Sequence, residues 1–462
     1  MKTAHSLGSK KAIWLPALNK LLPNKVSTTE AILHEHGGDA WFAHSMPQAV
    51  VIPESTADVQ KLMRFCAKRK IPVTPRGSGR GYVGGCVPVQ GGISLSLKKM
   101  NRILEISKED SLAVVEPGVI TGDIQSLVKA QGLYYPPDPA SAAESSIGGN
   151  IATNAGGPRC LKYGVTRNYI IGLHVVLANG DLVKVGGRTQ KNKLGFNLTD
   201  LFIGSEGMLG IVTQATLRLL PHPPARALIV ASFAHATGAA MAVQKILSAG
   251  FLPSALEIAD SFTLEAARTY STAVPLGKAL LMVEIDGQIS SVKSEEKSLV
   301  TLLRQLKALS TQTSHDPKGM EKLWAIRKAF SYSLRATGLT KLNEDVVVPR
   351  GKLLQLFQLT KTLQKKYKIA VASFGHAGDG NIHVNLMVPP QDAQSPHVAA
   401  ALAELFHTVL SWGGTITGEH GVGLAKKPWW NAATTPELRS LHHCIKTALD
   451  PLALLNPGKF LD

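Results

Sequence analysis

The segment IPVTPRGSGRGYVGG spans residues 71–85 and decides the fold class of this chain. A short β-strand signal runs directly into a loop with five glycines in nine residues. A Rossmann dinucleotide loop would open a helix straight after its strand. Here residues 91–97, GGISLSL, have the composition of a second strand instead. The segment therefore predicts a strand–loop–strand unit and argues against a Rossmann fold.

Backbone N–H groups in such a glycine loop can converge into an anion-binding nest without any helix. A diphosphate held by the loop is the functional interpretation. A plain surface turn is the alternative, because glycine clusters also occur in ordinary turns. The sequence favours the nest.

Strand and helix signals alternate on both sides of the loop. They lie at residues 49–52 (strand), 55–70 (helix), 112–118 (strand), 121–131 (helix) and 171–185 (hairpin with an Asn-Gly turn). The proline cluster at residues 221–224 predicts a linker. We divide the chain into an N-terminal helical segment (1–38), a first domain (39–221), a second domain (222–430) and a C-terminal segment (431–462). The second domain alternates apolar strands with amphipathic helices, which predicts an α+β architecture around an antiparallel sheet.

Two glycine-rich segments of the second domain carry candidate metal ligands. GHAGDGNIH (375–383) contributes His376 and His383, and GEHG (418–421) contributes Glu419 and His420. Imidazole and carboxylate groups are ligands for Zn²⁺, Mn²⁺ or Fe²⁺. A metal bound among these groups, with a spare basic histidine beside it, would indicate an enzyme. Polar loop histidines are the alternative.

Composition narrows the class of protein. The chain has 462 residues, which predicts two or three domains, and a net charge of +17. Its lysines are scattered and not interleaved with aromatics, which favours a solvated basic surface over nucleic-acid binding. We find no apolar run long enough to span a bilayer, no signal peptide and no paired-cysteine motif. We expect a cytoplasmic protein, with peripheral contact at the inner membrane surface left open.

Four ordered blocks resemble the flavin-binding domain of vanillyl-alcohol oxidase-type (PCMH-type) enzymes. They are PRGSG (75–79), PPDP (136–139), IGGNIATNAGG (147–157) and GSEGMLG (204–210). The second half is similar to the branch that oxidises 2-hydroxy acids, which includes D-lactate dehydrogenases, the FAD subunit of glycolate oxidase and D-2-hydroxyglutarate dehydrogenase. The resemblance runs from about Asp39 to Lys459. It implies a PCMH-type FAD domain, an α+β cap for the substrate and a C-terminal helical tail that returns to the FAD domain.

The resemblance also implies roles for individual residues. It implies non-covalent FAD, a divalent metal (zinc preferred, manganese or iron as alternatives) on His376, His383 and Glu419, and His420 as general base. Substrate contacts would come from Arg327, Lys341, Ser331 and Asn385. Residues implied to bind FAD are Arg76, Gly77, Ser78, Gly79, Arg80, Gly81, Pro139, Ser141, Gly148, Gly149, Asn150, Ala155, Glu206, Ile211, Val212 and Asn456.

Two of these assignments have structural alternatives, and two segments depart from the family pattern. Arg327 is otherwise a surface arginine, and Lys341 is otherwise an ion-pair partner of Glu344 and Asp345. The family often has an acid where this chain has Lys328. The stretch Arg80-Gly81-Tyr82 replaces a smaller and more neutral one.

The implied reaction is FAD-dependent, metal-assisted oxidation of a D-2-hydroxy acid, such as D-lactate, glycolate or D-2-hydroxyglutarate, to the 2-oxo acid by hydride transfer to flavin N5. One alternative is a flavin oxidase that uses O₂. Another is a basic protein that binds nucleic acid or membrane and keeps an inactive flavin fold. The electron acceptor (quinone, cytochrome or electron-transfer flavoprotein) and a homodimeric state are left open.

Overall fold

The computed structural model describes residues 12–461, so the first eleven residues of the predicted N-terminal segment lie outside the described residues. Helices and strands are mixed throughout, as the predicted α+β class requires. The strands of the first half are β1 (Val26–Ser27), β2 (Ala49–Val51), β3 (Val73–Arg76), β4 (Ile93–Ser96), β5 (Ile103–Ser107), β6 (Leu112–Val115), β7 (Leu133–Tyr134), β8 (Ile170–Val176), β9 (Leu182–Gly186), β10 (Ile211–Arg218) and β11 (Leu220–Pro221). Its helices are α1 (Leu15–Leu21), α2 (Glu30–Glu35), α3 (Thr56–Arg69), α4 (Thr121–Ala130), α5 (Ile147–Thr153), α6 (Cys160–Tyr163) and α7 (Leu198–Phe202).

The predicted strand–loop–strand unit is confirmed. β3 and β4 run parallel, with Val73 opposite Ile93, and β2 flanks β4 on its other side in the order β1-β2-β4-β3. α3 covers this sheet with an apolar stripe. The helix begins where the Ser55 side chain accepts the Asp58 N–H, and it ends at Lys70 in the left-handed conformation. The glycine loop is thereby fixed at the end of a buried strand.

The predicted hairpin at residues 171–185 is confirmed as β8 and β9, which pair across an Asn179-Gly180 turn. These strands belong to an antiparallel sheet in the order β5-β6-β10-β8-β9. Apolar residues of α4 and α5 pack against the sheet in a shared core. The small-residue segment 147–157 starts as α5, so Gly148 and Gly149 lie in a short helix, while Gly156 and Gly157 follow it in irregular structure.

The second half is built on one antiparallel sheet. Its strands are β12 (Ala225–Phe233), β13 (Ala255–Ala259), β14 (Ala279–Gly287), β15 (Ser310–Ser314), β16 (Thr340–Val347), β17 (Ala370–His376) and β18 (Asn381–Val388). Its helices are α8 (Ala236–Ser248), α9 (Ser261–Arg268), α10 (Ile289–Gln305), α11 (Pro317–Arg335), α12 (Leu353–Tyr367) and α13 (Pro396–Ser411), followed by α14 (Trp430–Ala433) and α15 (Pro436–Leu449). The strand order is β15-β12-β14-β13-β17-β18-β16. One face of the sheet packs against α8, α10, α12 and α13, and the other packs against α9 and α11.

The C-terminal residues pack back onto the first half. The buried Lys446 ammonium donates to the carbonyls of Met208 and Leu455 at 2.8 Å each and pairs with Asp450. Asn456 donates from its amide to the Gly85 and Glu206 carbonyls. Within residues 12–461, no helix combines the length and apolar character needed to cross a bilayer.

Candidate active site

A groove in the first half is lined by the glycine loop, by α5 and by the start of β10. All but one of the residues implied to bind FAD line this groove, namely Arg76, Gly77, Ser78, Gly79, Arg80, Gly81, Pro139, Ser141, Gly148, Gly149, Asn150, Ala155, Glu206, Ile211 and Val212. The exception is Asn456, which is buried behind the groove and supports it through Gly85. We call this space the flavin groove.

The glycine loop fits an anionic group. Among the described residues, none of the backbone N–H groups from Gly77 to Gly81 donates to a protein acceptor. The Ser78 hydroxyl is buried without a hydrogen-bond partner. A Cβ atom on Gly77 would lie 2.5 Å from the Ser146 hydroxyl oxygen, so this approach requires glycine. Unused donors facing a groove are what the nest interpretation predicts for a diphosphate.

Three side chains of the groove wall already form hydrogen bonds with other groups of the protein. Arg76 donates to the Gly38 carbonyl and to Cys86 Sγ beneath the loop. Asn150 donates to Thr121 Oγ1 at 2.7 Å. Glu206 accepts the N–H groups of Val422 and Gly423, while burial raises its pKa to about 7. These residues shape the groove and tie it to the second half.

The predicted metal ligands converge. The ligand atoms of His376, His383 and Glu419 all lie within 4.8 Å of one another, and the two histidines are buried. Glu419 approaches His376 Nε2 at 3.8 Å and His383 Nε2 at 3.4 Å. Two imidazoles and a carboxylate form a donor set that suits a divalent transition metal with open positions.

A tight hairpin brings the two histidines together. His376 ends β17 and His383 lies in β18, and the turn between them contains Gly380 at φ +86°. A Cβ atom at Gly380 would lie 2.1 Å from the Val348 carbonyl oxygen. Only glycine fits there, so the glycines of this segment serve the geometry that the ligands need.

Glu257 is a site residue that the sequence reasoning missed. Its carboxylate is 1% exposed, contacts His376 Nδ1 at 2.5 Å and also accepts a hydrogen bond from Arg327 Nε. Burial works against the charged carboxylate, yet His376 and Arg327 lower the pKa of Glu257 to about 2. An anionic partner on Nδ1 orients the ring so that Nε2 points at the ligand cluster. The available signal was an acid inside the buried strand Ala255–Ala259.

Asp345 is a second missed residue. It is fully buried and accepts the backbone N–H groups of Gly418, Glu419 and His420 at 2.9–3.0 Å. Despite its burial, His420 and Lys426 hold the pKa of Asp345 well below its usual range. Asp345 thus fixes the loop that carries Glu419 and His420. The Lys341–Glu344/Asp345 ion pairs considered as an alternative do not form.

His420 contacts two other rings. Its imidazole stacks on His383 and on Tyr82 of the glycine loop, with ring centroids 5.5 Å apart in both cases. Its Nδ1 is 3.7 Å from Asp345. His420 lines the flavin groove and also a larger cleft between the two halves. It therefore stands where the two spaces meet.

That larger cleft, here called the substrate cleft, contains most of the predicted substrate contacts. Arg327, Ser331 and Lys341 line it, and Lys341 Nζ donates to Ser331 Oγ at 2.8 Å. Asn385 is not brought to the cleft. It is fully buried, and its amide donates to the Ala372 and His383 carbonyls.

Comparison with known proteins agrees with this arrangement. Residues 47–186 match the family model "FAD binding domain", and residues 222–460 match "FAD linked oxidases, C-terminal domain". The chain is 40% identical over 418 residues to the glycolate oxidase subunit GlcD of Bacillus subtilis (strain 168), covering 90% of this chain and 89% of that one. It is 32% identical over 458 residues to a D-lactate dehydrogenase of Anaerostipes hadrus, covering 95% of each.

Among solved structures, p-cresol methylhydroxylase with bound substrate superposes with a TM-score of 0.79 at 20% identity, covering 97% of this chain and 96% of that one. At that identity the likeness concerns the fold alone, and it confirms the PCMH-type architecture. Together with the flavin groove, the two family matches establish what class of protein this is. The chain belongs to the FAD-linked oxidase family and is a flavin-dependent oxidoreductase.

Proposed function

We propose that the protein oxidises a small D-2-hydroxy acid to the corresponding 2-oxo acid, with non-covalent FAD and a divalent metal. The relatives supply the substrate class, since one is named for glycolate and another for D-lactate. The observation that carries the proposal is the position of His420. It borders the flavin groove and the substrate cleft at once, beside Glu419 of the ligand cluster.

When bound, FAD supplies a hydride acceptor at N5, and a divalent ion on His376, His383 and Glu419 supplies a Lewis acid for the α-hydroxyl. The residues of the chain bind the substrate carboxylate and accept the hydroxyl proton. Arg327 keeps its outer guanidinium nitrogens for the substrate carboxylate, because Glu257 occupies only its Nε. His420 takes the hydroxyl proton at Nε2, and Asp345 near Nδ1 favours the imidazolium that results.

The proposal is tested by mixing the purified yellow protein without oxygen with D-lactate, L-lactate, glycolate and D-2-hydroxyglutarate. We expect the visible flavin absorbance to bleach with a D-acid or glycolate and not with L-lactate. A chelator should abolish bleaching, and added Zn²⁺ or Mn²⁺ should restore it. A flavin that stays oxidised with every acid would remove the substrate assignment.

Lys341 makes substrate binding pH-dependent. Burial, together with the nearby Arg335 and Arg327 charges, lowers its pKa to about 7. The ammonium is therefore charged below about pH 7 and neutral above it. Losing one charge-assisted hydrogen bond costs about tenfold in affinity or more. We expect the KM for the acid to rise by about that factor between pH 6 and pH 8.5.

The matched variant for this prediction is Lys341→Gln, which has no titrating group at this position. Its KM should be high at every pH in the window and nearly flat. If the variant keeps the slope of the wild-type protein, Lys341 does not cause the dependence.

A further inference from the structure

One face of α11 presents a line of polar side chains to the substrate cleft. Arg327, Ser331 and Arg335 are spaced four residues apart, which places them on one stripe of the helix. At 1.5 Å per residue, the stripe extends about 12 Å from Arg327 to Arg335. Lys341 of β16 joins this line at Ser331. The cleft therefore carries three cationic side chains in sequence, leading outward from the ligand cluster.

Only the innermost of these cations has an anionic partner. Arg327 is paired with Glu257. Within residues 12–461, neither Lys341 nor Arg335 forms an ion pair with an acidic side chain. Lys341 has the Ser331 hydroxyl, and Arg335 donates to the Tyr82 hydroxyl at 2.5 Å. Two neighbouring cations with only neutral partners repel each other and favour an anion between them.

The titration of Lys341 supports this view of the site. Besides burial, the charges that lower its pKa are those of Arg335 and Arg327. An anion bound near Lys341 and Arg335 would cancel that repulsion. A substrate with a single carboxylate, held by Arg327, leaves both outer cations uncompensated.

We propose that Lys341, Arg335 and the Tyr82 hydroxyl form a second anion subsite, which takes a distal carboxylate of the substrate. The inference rests on the proposed function and narrows it to a 2-hydroxy dicarboxylate with a short aliphatic spacer. The first carboxylate binds Arg327, and the second lies between Lys341 and Arg335. This chain therefore prefers diacids over lactate and glycolate, although its 40% identical relative is named for glycolate oxidase.

The subsite also contacts the general base through Tyr82. The Tyr82 ring stacks on His420, and its hydroxyl accepts from Arg335. The same hydroxyl can donate its proton to a carboxylate oxygen while Arg335 turns its fork to that anion. A carboxylate in the subsite would therefore contact Tyr82, whose ring packs against His420.

Binding of two acids that cannot be oxidised tests the subsite without turnover. Glutarate and pentanoate have the same number of carbons and differ in the distal carboxylate, and neither has a hydroxyl group. Titration calorimetry of the holoenzyme should show glutarate binding about 10- to 100-fold more tightly than pentanoate, as expected for charge-assisted hydrogen bonds. Equal affinities in the wild-type protein would overturn the subsite.

Variants identify the residue responsible. Arg335→Gln should reduce the preference for glutarate by at least about tenfold, and Arg335→Lys should keep part of it. The matched control is Lys322→Gln, which removes one positive charge from an exposed position of α11 outside the cleft. If Lys322→Gln lowers the preference as much as Arg335→Gln, overall charge and not a subsite explains the binding.

The same preparations separate failure of the subsite from failure of the proposed function. Flavin reduction by D-lactate with equal affinity for glutarate and pentanoate overturns the subsite alone. No reduction by any 2-hydroxy acid, together with Arg335-dependent glutarate binding, overturns the reaction and keeps the subsite.

Discussion

His420→Asn should lower the rate of flavin reduction by about 10²- to 10⁴-fold, the range typical for loss of a general base. Asparagine keeps a polar side chain at this position but cannot accept the hydroxyl proton. The loop from Gly77 to Gly81 is untouched, so the flavin should remain bound. Rapid-mixing absorbance of the anaerobic protein with its best acid measures the rate, and the protein's visible spectrum measures flavin content.

The control for this prediction is His443→Asn, an exposed histidine on α15. It should reduce flavin at the wild-type rate. The rate in His420→Asn should recover partly at high pH, where hydroxide replaces the missing base. A variant that keeps more than about a tenth of the wild-type rate would contradict the role of His420.

His383→Ala should remove the divalent metal and nearly all turnover while leaving FAD in place. The side chain supplies one of three ligand atoms and is buried, so no exposed side chain can take over. Lewis-acid stabilisation is worth several kcal/mol, which corresponds to a loss of about 10³-fold or more. The flavin groove is formed mainly by residues 75–212 and keeps its shape.

Elemental analysis of the purified variant, with its flavin spectrum, distinguishes the two cofactors. The matched control His397→Ala changes an exposed histidine at the start of α13 and should retain both cofactors. Metal bound at one equivalent in His383→Ala, or turnover like that of the wild-type protein, would refute the metal assignment.

The sequence was informative where neighbouring residues act together. The glycine loop and the histidine hairpin are each continuous, so their composition predicted the strand–loop–strand unit and a metal site at the hairpin. Glu257 and Asp345 were not predicted, because only strand pairing places them beside the metal-ligand cluster. Glu257 lies opposite His376 in the β13–β17 register, and Asp345 lies opposite His383 in the β16–β18 register. Each missed acid is thus the cross-strand neighbour of a predicted ligand.

Asn385 illustrates the opposite case, in which local periodicity predicted more than the tertiary structure provides. Residues two apart in a strand share a face, which placed Asn385 beside His383. β17 lies next to that strand, and its Ala372 carbonyl accepts a hydrogen bond from the Asn385 amide. The Asn385 amide therefore forms its hydrogen bond inside the sheet. Predicting this would have required the order of the strands.

The attachment of the chain's end to its beginning has a consequence for biosynthesis. Asn456 holds the Gly85 carbonyl from 371 residues away, and Leu455 bridges to Val73 in the strand before the glycine loop. At about 5–20 residues per second, a ribosome needs about 20 to 75 seconds to cover that distance. The first half leaves the ribosome long before these contacts exist. Its flavin groove therefore receives this support late, after the second half has also been synthesised.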